Sequence, residues 1–128
     1  MATALDYIKR ALRMIGELAA ETGEAPNDAQ ATQALGVLNA MLAGWEHEGV
    51  PLGLPTLTLS GTVPVPPSHD DAIAYNLAVN CAAEWGQDAP QVVAVRAIST
   101  FAALQAIYAN APTMIAPPEY IIGGRALW

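Results

Sequence analysis

The chain has 128 residues, 53% hydrophobic and only 13% charged, with five Lys and Arg against twelve Asp and Glu for a formal net charge of −7. This length fits one domain that buries roughly two-thirds of its unfolded surface, and a charged share so far below the usual ~25% leaves apolar surface for contact with other chains. The acidic balance argues against gripping nucleic acid by phosphate neutralisation, the lone Cys81 excludes an intrachain disulfide, and the absence of a continuous run of 18 apolar residues gives no expectation of secretion or a membrane span.

Thr3 is placed to cap a first helix with Asp6 in its first turn, and Leu5, Ile8, Leu12, Ile15 and Leu18 recur near the 3.6-residue period. This helix is expected to end near Gly23. Lys9, Arg10 and Arg13 gather on it, which reads as a solvated face, the other reading being a dock for an acidic partner. Asn27 or Asp28 can cap a second helix with a stripe of Ala31, Ala34, Leu35, Leu38, Met41, Leu42 and Trp45, stopped by Gly49 and Pro51.

Between Pro51 and Pro67 five prolines forbid a helix. Thr56 to Leu59 and Thr62 to Val65 alternate around Ser60-Gly61, which predicts a small β-hairpin with Pro64 on an edge strand; the alternative is an ordered loop lying on the chain's own helices. Ser68 and Asp71 form a Ser-x-x-Asp capping pattern for a third helix with Ile73 or Ala74, Leu77, Ala78, Cys81, Ala82 and Trp85 on its stripe, closed by Gly86. Cys81 among these apolar neighbours reads as a buried, inert thiol. Pro90 opens a fourth helix with Val93, Ala97, Ile98, Phe101, Ala102, Leu104, Gln105 and Tyr108. The expected fold is all-α, a compact four-helix bundle over residues 1–109, with the hairpin inserted at about 51–67 between helices 2 and 3 and an extended C-terminal arm over 110–128.

That arm, NAPTMIAPPEYIIGGRALW, is broken by Pro112, Pro117, Pro118 and Gly123-Gly124, yet it carries Met114, Ile115, Tyr120, Ile121, Ile122, Leu127 and Trp128. A disordered tail is poor in such residues, so the composition is that of a segment that binds something. The residues expected at an interface are therefore Met114, Ile115, Pro117, Pro118, Tyr120, Ile121, Ile122, Leu127 and Trp128 of the arm, with Leu57, Leu59, Val63 and Val65 of the hairpin.

Chemistry is harder to find. Glu46, His47 and Glu48 are consecutive, so on a helix they fan about 100° apart and cannot converge on one ion or substrate. The only other histidine is His69, and a composite metal site from His47, His69, Asp70 and Asp71 would need the proline-rich segment to fold back. Phosphate-loop, nucleophile-elbow and dinucleotide motifs are absent, and Trp45 and Trp85 occupy core-stripe positions. No catalytic residue, metal or cofactor is expected. Two other classes remain in view: a small helical metal-dependent hydrolase using Glu46, His47, His69 and Asp70, and a monomeric helical module that binds a peptide.

One resemblance sharpens the expectation. RALRMIG from Arg10 to Gly16, then Asn27-Asp28-Ala29-Gln30, then LGVLNAMLAGWEHEGVPLGL from Leu35 to Leu54, and Asn76-Leu77-Ala78 after the proline-rich segment, together resemble the head-to-tail adaptor proteins of tailed bacteriophages. The likeness is to the packaged-DNA-stabilisation, or head completion, family, and it runs from about Leu5 to Trp85. It implies a non-enzymatic ring, usually of twelve copies, in the virion neck, made in the bacterial host cytoplasm. Such a ring binds beneath the portal protein, extends the DNA channel without sequence-specific binding, and docks a downstream tail or neck protein, with no membrane involved. By position, the C-terminal role of that family maps onto residues 110–128.

Overall fold

The computed structural model describes residues 2–17 and 26–109, which form α1 (Ala4–Met14), α2 (Asp28–Trp45), α3 (Asp70–Glu84) and α4 (Gln91–Ala109), with a 3₁₀ turn over Pro67–His69 leading into α3. The all-α expectation is met. The arm, residues 110–128, and the stretch 18–25 lie outside the described residues.

Local sequence accounts for most helix ends. Thr3 caps α1 in a reciprocal box: its hydroxyl accepts from the Asp6 N–H, and the Asp6 carboxylate accepts from the Thr3 N–H. Asn27, rather than Asp28, does the same for α2 with Gln30. α1 stops at Met14 and not near Gly23, because Gly16 takes φ +81° and lets the Glu17 N–H reach back to the Leu12 carbonyl while the Gly16 N–H reaches Arg13. Gly86 closes α3 identically, with Gln87 donating to the Ala82 carbonyl. Ser68 does not cap α3. The Pro66-Pro67 pair starts a 3₁₀ turn instead, His69 occupies the cap position, and Asp70 and Asp71 supply the negative charge in the first turn.

α3 is the central element and packs against α1, α2 and α4. Its alanines explain this: Ala72, Ala74, Ala78 and Ala82 are buried on several sides, so three neighbours approach a helix whose girth is small, while Ile73 and Leu77 fill the gaps. Around it lie Ile8 and Leu12 of α1, Leu38, Leu42 and Trp45 of α2, and Leu104 of α4. The Trp45 and Phe101 rings meet at 5.0 Å, joining α2 to α4. Cys81 is buried here as expected, and burial pushes its thiol up to about 12, which holds it protonated and unreactive.

The hairpin is not formed. Among the described residues there is no strand, only one antiparallel bridge between Thr3 and Thr62. The reason is where the backbone groups go. A helix leaves its first four N–H groups without internal partners. In α1 the Ala4 N–H donates to the Gly61 carbonyl and the Leu5 N–H to Leu59, while Asp6 and Tyr7 are served by Thr3. The Val63 N–H in turn donates to the Ala2 carbonyl. The groups a two-stranded hairpin would pair internally thus cap a helix, which secures a segment too small to be stable alone. The ordered loop on the chain's own helices is the reading that holds.

Candidate assembly surface

The side chains expected to carry function fall into three sets, and the fold treats each differently. Leu57, Val63 and Val65 are buried in the chain's own core beside Val50 and α1, and Leu59 is half-buried against it. Their apolar groups therefore face inward, leaving Thr58, Ser60, Thr62 and Pro64 exposed on the outside of the loop. Met114, Ile115, Pro117, Pro118, Tyr120, Ile121, Ile122, Leu127 and Trp128 lie outside the described residues.

The acidic and histidine residues do not assemble. Glu46, His47 and Glu48 continue α2 as three successive i→i−3 backbone bonds, ending at Gly49 with φ +92° and a Val50 N–H that reaches the Trp45 carbonyl. All three side chains are exposed, and the Glu46 carboxylate accepts from the Gly53 N–H. A shallow cleft of about 300 Å³ lies beside them, lined by Leu42, Ala43, Leu52, Leu54 and Pro55 together with Asn39.

His69 sits elsewhere and is 4% exposed. Its Nε2 lies 2.9 Å from the Tyr108 hydroxyl and its Nδ1 3.1 Å from Ser68 Oγ, so a neutral ring donates from one nitrogen and accepts at the other. Burial holds its pKa below the ordinary value, with the neighbouring Asp70 pulling the other way. Asp70 is itself engaged: the Tyr7 hydroxyl donates to it at 2.5 Å, and burial together with that carboxylate raises the phenol above its usual range. Asp71 pairs with Arg10 at 2.6 Å on the surface. His69, Asp70 and Asp71 thus tie α1 or α4 to the start of α3. Among the described residues no group of three or more His, Cys, Asp or Glu side chains is placed to hold a metal ion.

Two asparagines to which the sequence assigned no structural role hold segments together. The Asn39 amide accepts from the Leu57 N–H at 2.8 Å and donates to the Leu57 carbonyl at 3.2 Å, a two-bond clamp that holds the proline-rich segment on α2. Asn76 Nδ2 donates to the Ala72 carbonyl of its own helix and to the Ala97 carbonyl of α4. The available signal was that asparagine is unfavourable in a helix interior unless its amide finds backbone elsewhere.

The remaining surface feature is α4. Of its expected stripe, Val93, Ala97 and Leu104 are buried and Phe101 and Tyr108 half-buried, but Ile98, Ala102 and Gln105 face outward. Val92, Val95, Ile98 and Ile107 are 72%, 55%, 73% and 52% exposed, and Arg96 is the only charged residue in the helix. By length and composition α4 would suffice to cross a membrane, although its inner side contributes to the core. A large apolar patch of this kind ordinarily marks a contact surface. The chain matches no protein-family model, and a search of curated proteins likewise finds no match.

Proposed function

We propose that the chain is a structural head-to-tail adaptor of a tailed bacteriophage, a non-enzymatic component that forms a ring under the portal protein, extends the DNA channel, helps retain packaged DNA and docks the tail. The observation that carries this reading is the order of its short motifs on the helices. RALRMIG ends α1 at the φ-positive Gly16, the Leu-x-x-Met-x-x-x-Trp run closes α2 at Trp45 ahead of the turn at Gly49, and Asn76-Leu77-Ala78 lies on the central α3 after the proline-rich segment. Each motif is short and apolar, so their spacing along one all-α chain is what gives the resemblance its weight.

Two further features fit. Polar groups that sequence made eligible for chemistry are engaged in holding helices together, as His69, Asp70 and Asp71 are. The net charge of −7 suits a conduit, since carboxylates repeated around a lumen repel phosphate weakly and let DNA slide. Purified chain mixed with its cognate portal is expected to form a ring on the portal visible by electron microscopy, with copy number read from the rotational symmetry. Absence of any complex would overturn the proposal.

A further inference from the structure

α4 is apolar on both sides, and the described residues cover only one of them. Val93, Ala97 and Leu104 enter the core, while Val92, Val95, Ile98 and Ile107 stand in solvent. A helix that is hydrophobic all round is ordinarily buried all round. We propose that in the isolated protein the outer face of α4 is covered by the chain's own residues 110–128, folded back along the helix. This does not rest on the ring reading.

Three observations single out that occupant. The first is composition. Of the stretches outside the described residues, 18–25 has one large apolar side chain, Leu18, beside Glu21 and Glu24, whereas 110–128 has seven large apolar side chains and begins where α4 ends. The second is reach. Nineteen helical residues span about 28 Å, and the fifteen residues from Met114 to Trp128 extend to roughly 50 Å, so the face can be traversed with length to spare. Pro112 opposes continuation of the helix along the same axis, which is compatible with the proposed reversal.

The third observation is charge. Arg96 is α4's only charged residue, lies over the Tyr75 ring at 5.3 Å and has no carboxylate within ion-pair distance among the described residues. Glu119 is the only acidic side chain of 110–128. Arg96 lies about 20 Å back along the helix from Ala109, and Glu119 lies about 20 Å along an extended chain from Thr113. A reversal over Asn110 to Thr113 therefore brings the segment's one acidic side chain beside α4's one base, with Met114 and Ile115 over Ile107 and Tyr120 over Val95.

The competing occupants fit less well. A membrane would have to draw α4 off α3, breaking the Asn76 bond to Ala97 and the His69 contact with Tyr108, and it would meet a chain of net charge −7. A second copy competes against a tethered segment whose effective concentration is on the order of millimolar.

The test is a disulfide trap on the full chain without any portal. In a Cys81→Ala background, Val95→Cys combined with Tyr120→Cys is oxidised at micromolar concentration, with Asp28→Cys plus Tyr120→Cys as the distant control and circular dichroism to confirm folding. An intrachain disulfide in the monomer, absent from the control, is expected. Exclusively interchain disulfide would assign the face to a second copy and overturn the proposal, as would no disulfide at all. Arg96→Glu or Glu119→Arg alone should lower the trapping rate by about two- to fivefold, and the double exchange should restore it. Single variants that trap at the original rate, or a double variant that fails to recover, would overturn the charge register. Because no portal is present, failure here leaves the portal-binding experiment to decide the ring reading on its own.

Discussion

His69 shows how one buried titratable side chain couples stability to pH. Its pKa in the folded protein is depressed from an ordinary value near 6.5, so the unfolded chain takes up a proton before the folded one does. The contribution of the neutral ring is therefore fully present above about pH 6.5 and is lost as pH falls from there through the lower folded value. Urea unfolding at steps from pH 7 to pH 5 should show a steeper fall in stability for the natural chain than for His69→Gln, and equal slopes would refute the assignment. Asn39 is the other residue on which much depends, since its amide satisfies both backbone groups of the buried Leu57. Asn39→Leu strands an N–H and a carbonyl, and should cost about 1–3 kcal/mol in chemical denaturation. Faster hydrogen exchange at the Leu57 amide would locate the damage.

At the scale of the element, helix ends are decided by backbone geometry more than by where the apolar period runs out. The apolar period of the first helix continues through Leu18, yet α1 ends at Met14 because Gly16 adopts a left-handed conformation that turns the chain. Nothing lies within 4 Å of a Cβ placed on Gly16 or Gly86, so Gly16→Ala and Gly86→Ala should cost only the torsional strain, about 1–2 kcal/mol each. Thermal unfolding of each variant measures this. The proline-rich segment follows the same logic. Its backbone serves the N-terminus of α1 and the Asn39 amide in place of a partner strand.

Over the whole molecule, the residues that build the described core are distinct from those proposed to associate. The core draws on α1, α2, α3, α4 and the proline-rich segment within residues 2–109, and its largest fully buried side chains are Ile8, Leu12, Leu38, Ile73, Leu77 and Leu104. A chain ending at Ala109 should therefore keep a cooperative unfolding transition and its helical circular dichroism. It should lose ring formation on the portal if the proposed adaptor role is right, and a truncated chain that still assembles would place the contact elsewhere. The exposed face of α4 should also make this shortened chain associate with rising concentration, as light scattering would read.

The sequence by itself determined the helices, most of their caps and the all-α class, because these depend on period, on Thr3, Asn27, Gly49 and Gly86, and on proline placement, all of which act within a few residues. It also made clear that Glu46, His47 and Glu48 could not converge, which follows from helix geometry alone. Only the tertiary structure decided that Leu57, Val63 and Val65 turn inward, that His69 meets Tyr108 39 residues away, and that Ile98 and Ala102 of α4's expected stripe remain outside. Alternation around Ser60-Gly61 is compatible with a hairpin or with a loop. Which one forms depends on whether a helix N-terminus lies within hydrogen-bonding reach, and that proximity is a property of the folded chain.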